Sequence, residues 1–305
     1  MTDKGPDLSR ISTEQRNPYS TDIDTLSTPE MLAVINREDA KVAAAVAENL
    51  PQIAQAVDGI VDRIQNGGRL IYIGAGTSGR LGVLDASECP PTFNTDPGLV
   101  VGLIAGGDHA LRHPVEHVED SRDAGAEALK SIDLRQHDAV VGIAASGRTP
   151  FVLGAIEYAN ELGALTIGIC NSADAALSDE VQIPIAVISG PEVVTGSTRM
   201  KSGTAQKMVL NMLSTGAMIR LGKTYGNLMV DVQPTNEKLQ VRAIRIVAEA
   251  TGLEVESARA ALNAARGDVK AAIVSVLTGL DTEAANGKLS QANGRVRTVI
   301  EGDQT

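Results

Sequence analysis

The 305-residue sequence is poor in aromatic residues and cysteine. It has no Trp, two Phe and four Tyr, which leaves few side chains for stacking on nucleic-acid bases. Its two cysteines, Cys89 and Cys170, follow no pairing pattern, so they do not indicate a disulfide-bonded secreted domain. The first six residues contain no apolar signal core, and no apolar run is long enough to span a bilayer. These absences favour a soluble protein of a reducing compartment, and we expect it in the cytoplasm.

Positive charge is also scarce. With 27 Lys and Arg against 38 Asp and Glu, the formal net charge is −11, which argues against a nucleic-acid partner because phosphates require a basic face. The same charge repels anionic metabolites at long range, so a phosphate site here must rely on local N–H groups and a few cations. The hydrophobic fraction of 43% is enough to bury one large domain and a small one.

Apolar runs alternate with helical patterns from Arg69 onward. Strands that are apolar on both faces and separated by helices predict a parallel sheet that is covered on both sides. We therefore expect a doubly wound α/β fold with three layers. The predicted strands are residues 69–73, 98–105, 138–143, 164–170 and 182–188.

Three regions flank or contain this pattern. Residues 1–25 are polar and are predicted to be loose, residues 26–235 form the α/β domain with leading helices, and residues 236–305 form a small helical domain. Ser27, Pro29 and Glu30 predict the first helix start, with a break near Pro51. The last region shows three short helical patterns, centred on 236–250, 255–265 and 269–280, and is similar to a ubiquitin-associated-like bundle.

The most informative motif is a turn that occurs twice. Ser-Gly-Arg at 78–80 follows the first predicted strand, and Ser-Gly-Arg at 146–148 follows the third. In both copies a strand gives way to small and hydroxyl residues before a helix, which directs backbone N–H groups at an anion. A third segment, residues 190–207, has hydroxyl residues, glycines and cations before another helical pattern. Together they predict a phosphate or sugar-phosphate site.

Two other motif matches are weaker. Residues 74–79 fit G-x-G-x-x-G, but the acid after the second strand comes too late for a dinucleotide site, which also would not explain the repeated turn. Residues 113–117 fit H-x-x-E-H, but Pro114 prevents the continuous helix that a zinc-protease site requires. We expect neither a nicotinamide cofactor nor a metal.

The turns resemble those of the sugar-isomerase (SIS) fold. Residues 74–82 and 84–92 are similar to the N-acetylmuramic acid 6-phosphate etherase family, and 190–207 resembles a signature that this family shares with the glucokinase regulatory protein. The similarity extends from about Leu26 to Val299. It implies hydrolytic cleavage of the lactyl ether of an amino-sugar phosphate, without metal or redox cofactor, in cell-wall recycling or catabolism. It also implies a homodimer with sites near the interface. We expect no membrane partner, because no apolar run is long enough to span a bilayer.

The resemblance assigns two catalytic carboxylates, Glu88 and Glu119, and a set of binding residues. Pro90-Pro91 is expected to stop a helix just after Glu88, and a carboxylate at a helix C-terminus favours its protonated form, so we expect Glu88 to donate a proton. Glu119 would assist C2 deprotonation or water addition; Glu116 is a neighbouring candidate, and one carboxylate could serve both steps. The predicted substrate and phosphate ligands are Thr77, Ser78, Gly79, Ser146, Gly147, Arg148, Thr149, Glu192, Ser197, Arg199 and Lys201.

Three arrangements remain open at this stage. A helix unbroken from Gly79 to Glu88 would put Glu88 more than about 10 Å from a phosphate bound at Ser78. The sugar is shorter than this distance. Either that helix breaks near Asp85, or the phosphate rests mainly on residues 146–149, or Glu88 completes the site of a second subunit. Two alternative functions also remain: a sugar-phosphate isomerase, and a noncatalytic sugar-phosphate sensor.

Overall fold

The computed structural model describes residues 12–232 and 237–302, and the chain divides into two compact units. The first consists of the residues up to 87 together with 97–214, and the second of 88–96 together with those from 215 onward. A short internal segment, residues 88–96, thus groups with the C-terminal residues.

The described part of the N-terminal segment begins at Ser12. The first eleven residues lie outside the described part of the chain, but the rest of the segment forms 3-10 turns at Ser12–Glu14 and Ile23–Thr25. Asn17 is buried, and its Nδ2 donates to Glu38 Oε2 at 2.9 Å. Hydrogen bonds from Asn17 and Ser20 thus connect this segment to Glu38 and to the carbonyls of Pro191 and Val193.

Three helices precede the sheet: α1 (Thr28–Asp39), α2 (Val42–Ala47) and α3 (Leu50–Gln65). The predicted start is confirmed, because Glu30 Oε2 accepts the Ser27 N–H at 3.0 Å. Pro51 lies in the first turn of α3, where a missing N–H breaks no helical hydrogen bond.

The predicted doubly wound α/β fold is confirmed. Five parallel strands lie in the order β2-β1-β3-β4-β5. The edge strand β5 carries Pro184, a residue that an interior strand would exclude. The strands are β1 (Leu70–Gly74), β2 (Val100–Ile104), β3 (Ala139–Ile143), β4 (Leu165–Cys170) and β5 (Ile183–Ala186).

Helices cover both faces of this sheet. The intervening helices are α4 (Gly76–Phe93), α5 (His109–Arg112), α6 (Arg122–Lys130), α7 (Pro150–Glu161), α8 (Ala176–Glu180) and α9 (Lys201–Arg220). In α4, Gly82 lies directly against Tyr72 and Ile143, whereas Gly142 lies against Val152 and Ile156 of α7. Because residues 142 and 143 point to opposite faces of β3, α4 and α7 lie on opposite sides.

The second unit is mostly helical. The three predicted helices are confirmed as α10 (Glu237–Thr251), α11 (Val255–Ala264) and α12 (Val269–Thr278), and two more follow that the sequence did not predict, α13 (Thr282–Gln291) and α14 (Val296–Gly302). A short hairpin, β6 (Thr224–Tyr225) with β7 (Leu228–Met229), precedes them. One hydrophobic cluster joins α10 to α14.

Among the described residues, none of the helices has both the length and the apolar surface needed to cross a membrane.

Candidate functional site

The two Ser-Gly-Arg turns lie at neighbouring strand ends. β1 and β3 are paired in register up to Gly74 and Ile143, and the turns follow immediately. The chain goes from β1 outward to β2 and then returns to β3 on the other side of β1. This is the point where strand order reverses, and in open α/β sheets ligands bind in the crevice outside the strand ends there.

The first turn, residues 76–80, opens α4. Ser78 is buried, and its Oγ donates a hydrogen bond to Gln206 Oε1 at 2.9 Å. Arg80 is turned to a neighbouring segment: its Nε and Nη2 donate to the carbonyls of Leu111 (3.1 Å) and Ala110 (2.6 Å). The hydroxyl proton of Ser78 is therefore already used, and its oxygen remains available as an acceptor.

The second turn, residues 145–149, opens α7. Here Ser146 Oγ accepts the Arg148 N–H at 3.3 Å, so its own proton is available to donate. Gly147 has φ +66°, and a Cβ there would lie 2.3 Å from the Ala175 Cβ. The Arg148 side chain donates to the Asp174 carbonyl at 2.8 Å. This position requires glycine, and Arg148 reaches across to the loop after β4.

Two predicted binding residues lie buried at the start of α9. Glu192 Oε2 and Oε1 accept the Lys201 and Ser202 N–H groups at 3.0 and 2.9 Å, and a carboxylate is favoured at that helix end. Lys201 Nζ donates to Glu38 Oε2 and to the Ser189 carbonyl, both at 2.9 Å. The observed partners of Glu192 and Lys201 are thus other residues of this chain. Substrate contact by these two residues stays a prediction, as it does for the more exposed Ser197 and Arg199.

Glu38 is a residue that sequence analysis missed. Its side chain is 3% exposed; desolvation opposes its ionised form, but hydrogen bonds from Lys41, Lys201 and Asn17 outweigh it and lower the pKa of Glu38 to about 2. Glu38 therefore stays charged and anchors both the N-terminal segment and α9.

A buried amide network links the first turn to the far strands, and sequence analysis missed it too. Gln206 Nε2 donates to Asn171 Oδ1 at 2.9 Å, and Asn171 Nδ2 donates to the Val187 carbonyl at 3.0 Å. Asn171 also donates its N–H to the Ala145 carbonyl. The available signal was a polar residue directly after an apolar strand.

Glu119 lies in the irregular segment between α5 and α6, with an exposed side chain. Its carbonyl accepts the Phe151 N–H at 3.0 Å, which ties it to the first turn of α7. Glu116 is exposed in the same segment. The structure thus brings Glu119 beside the helix that follows the second turn.

Glu88 is exposed on α4, and the expected helix stop after it is wrong. α4 continues through Pro90 and Pro91 to Phe93, so Glu88 does not lie in the last turn. Proline forbids one hydrogen bond but its φ is helical, and Asn94 donates back to the Pro90 carbonyl. Glu88 belongs to the second unit and Glu119 to the first, so their pairing stays a prediction.

Asp85 is a buried carboxyl group on the same helix. Desolvation raises the pKa of Asp85, although hydrogen bonds from Ser214 and Tyr72 oppose the shift. The Tyr72 hydroxyl donates to Asp85 Oδ2 at 2.9 Å. This bond fixes α4 against β1 near the middle of the helix.

The H-x-x-E-H match is not a helical metal motif. α5 ends at Arg112, His113 is extended, and His117 has φ +63°. The two rings therefore do not share one face of a helix, as the pattern would require.

Comparison with known proteins identifies the family. Residues 52–160 match the glucokinase regulatory protein N-terminal SIS domain, and residues 111–216 match the SIS domain. A Vibrio parahaemolyticus protein named N-acetylmuramic acid 6-phosphate etherase 2 is 60% identical over 270 residues, covering 88% of this chain and 90% of the relative. An N-acetylmuramic acid 6-phosphate etherase of Caldanaerobacter subterraneus is 56% identical and covers 88% of each chain.

A solved structure supports the fold alone. The phosphoheptose isomerase of Francisella tularensis has a TM-score of 0.50 and 18% identity, covering 64% of this chain and all of that one. With sequence identities near 60% over most of its length, this chain belongs to the N-acetylmuramic acid 6-phosphate etherase family.

Proposed function

We propose that this chain cleaves the lactyl ether of N-acetylmuramic acid 6-phosphate with water, giving N-acetylglucosamine 6-phosphate and D-lactate. The observation that carries the proposal is the high identity to etherases over 88% of the chain. The two hydroxyl-bearing turns at the switch point of the sheet support it, since a sugar phosphate has two chemically different ends to bind.

The second turn takes the phosphate. Ser146 keeps a free hydroxyl proton, because its Oγ is an acceptor for the Arg148 N–H, and a phosphate oxygen accepts such a proton. Thr149 immediately precedes α7, whose positive end favours an anion. Residues 146–149 therefore suit the C6 phosphate.

The first turn takes the sugar. Ser78 donates to Gln206, so toward a ligand it offers only lone pairs, which suit a hydroxyl or amide N–H and repel a dianion. Thr77 and Gly79 flank it on the first turn of α4. The open-chain sugar would thus extend from the second turn toward the first.

The reaction is an elimination followed by a hydration. In the open-chain form the C1 aldehyde acidifies the C2 proton, and a base removes it. The electron pair left at C2 forms a C2–C3 double bond while the C3–O bond breaks, and an acid protonates the departing lactate oxygen. Water then adds its oxygen to C3 and a proton to C2. The reaction therefore needs two proton-transfer groups. Glu88 is the proton donor, and Glu119 assists at C2.

The continuity of α4 limits which active site Glu88 can reach. Because the helix is unbroken from Gly76 to Phe93, Glu88 lies about 15 Å along the axis from Ser78, and a break near Asp85 is excluded. Leu84, one turn before Glu88, is 43% exposed. We propose a homodimer in which α4 lies near the interface and Glu88 completes the site of the other subunit.

Lactate release tests the activity. Purified protein should release one lactate per N-acetylmuramic acid 6-phosphate and none from the unphosphorylated sugar. An isomerase would interconvert aldose and ketose phosphates without lactate, and a sensor would bind the ligand without turnover; either result rejects the proposal.

Two variants test the residue roles. Glu88→Gln should abolish lactate release while C2–H exchange in deuterated water continues, and ether cleavage by this variant would refute the assignment. If sites are shared between subunits, mixing Glu88→Gln with Ser146→Ala subunits should give more activity than either variant alone, and no gain would count against sharing.

A further inference from the structure

We propose that Arg80 is a positioning residue for this reaction: its guanidinium holds the segment 105–121 so that Glu119 faces the substrate site. The inference rests on the proposed function. It concerns the arginine of the first Ser-Gly-Arg turn, which the sequence pattern alone would offer as a cation for the phosphate.

The guanidinium is committed to two successive carbonyls. Arg80 is partly buried, and its Nε and Nη2 lie 3.1 and 2.6 Å from the Leu111 and Ala110 oxygens. α5 has four residues, so the carbonyls at its end lack helical partners. A planar guanidinium serves two acceptors at fixed spacing, and a lysine ammonium does not reproduce that fork.

The segment folds back so that Ala110 and Val118, the residue before Glu119, pack around the same glycine. A Cβ at Gly106 would lie within 3.5 Å of Ala110, Val115 and Val118 side-chain atoms, so these three pack around Gly106. Val118 also packs against the core formed by β1, β3 and α7. Moving the Ala110 carbonyl therefore displaces Val118, the residue before Glu119.

The far end of the segment is fixed at the second turn. The Glu119 carbonyl accepts the Phe151 N–H in the first turn of α7. The segment is thus held by the arginine of one turn and by the helix that follows the other. Arg80 sets the first of these two attachments, and with it the direction of the Glu119 side chain.

The test compares Arg80→Met and Arg80→Lys with Arg112→Met, an exposed arginine on α5 itself that removes the same charge. For both Arg80 variants kcat should fall by about tenfold to a hundredfold, because small misplacement of a catalytic group is costly. KM and the affinity for N-acetylglucosamine 6-phosphate should stay within about twofold of wild type. Arg112→Met should behave as wild type.

Hydrogen–deuterium exchange gives a readout that does not depend on turnover. Both Arg80 variants should exchange faster in residues 105–121, with β3 and β4 unchanged. If the wild type released no lactate, the proposed function would fail while this measurement still judged the attachment. The positioning role is rejected if kcat is unchanged, if KM rises at constant kcat, or if Arg80→Lys keeps wild-type exchange and activity.

Discussion

The two turns share Ser-Gly-Arg but use the serine in opposite ways. Ser78 gives its proton to a buried amide on α9, whereas Ser146 receives a backbone N–H from its own turn. The arginines are alike in that each donates to backbone carbonyls of another segment, Arg80 to two in α5 and Arg148 to one in the loop after β4. A repeated motif therefore fixes the backbone path, whereas the surroundings decide the hydrogen-bonding role of its side chains.

The largest expected effect is a difference in stability between alanine substitutions of a glycine in each turn. Gly147→Ala should lower the free energy of unfolding by about 4 kcal/mol, since it adds a left-handed φ to an overlap with Ala175. Gly76→Ala has φ +53° but open space around the new Cβ, and should cost about 1 kcal/mol. Urea unfolding of both variants measures this, and equal costs would contradict the role assigned to Ala175.

The anchoring of the N-terminal segment and α9 by Glu38 should depend on pH. The pKa of Glu38 is lowered from 4.5 to about 2, so its ionised form contributes about 3 kcal/mol above pH 4.5. That contribution is lost as the pH falls from about 4.5 to 2, because the unfolded state binds the proton first.

Glu38→Gln should therefore be about 3 kcal/mol less stable at pH 7 and show a flatter acid limb. The exposed Glu48→Gln is the matched control. Unfolding free energies between pH 2 and 7 measure both, and parallel curves for wild type and Glu38→Gln would rule out this linkage.

Phosphate binding should distinguish the serines. Ser146→Ala should weaken inhibition by inorganic phosphate about thirtyfold, the value of a hydrogen bond to a charged group near 2 kcal/mol. Ser78→Ala should leave inorganic phosphate inhibition within about twofold, since its proton is already donated to Gln206. Comparable losses in both variants would mean that the turns share the phosphate.

The smallest effect is a coupling energy. In a double-mutant cycle on N-acetylglucosamine 6-phosphate affinity, Ser78→Ala and Gln206→Leu should couple by about 1 kcal/mol, as residues in direct contact do. Ser146→Ala with Gln206→Leu should be additive within about 0.5 kcal/mol. Calorimetric titration of the variants supplies the values, and the reverse pattern would assign Gln206 to the other turn.

Much of the fold follows from local pattern. The five strands and the start of α1 could be predicted because apolar runs and capping residues act over a few positions. The continuation of α4 past Pro90 and Pro91 could not be predicted, because a proline pair removes hydrogen bonds without forbidding helical dihedrals. α13 and α14 complete a hydrophobic cluster with the three preceding helices, and that packing is not visible in a local window.

The candidate site likewise has features that local sequence predicts and features that depend on tertiary contacts. Both turns and the segment at 190–207 were visible in sequence, but the buried positions of Glu192 and Lys201 were not, because their partners lie in the start of α9 and in Glu38. Nor was the link from Arg80 to Leu111, which joins different elements.

The parallel sheet and the paired turns follow from the amino-acid sequence alone, since they depend on residue periodicity and on backbone sterics within a few positions. The acceptor of each hydroxyl proton and the need for glycine beside Ala175 depend on contacts that form only in the folded chain. Ser78 and Gln206 are 128 residues apart in the chain, and no local pattern specifies a hydrogen bond over that separation.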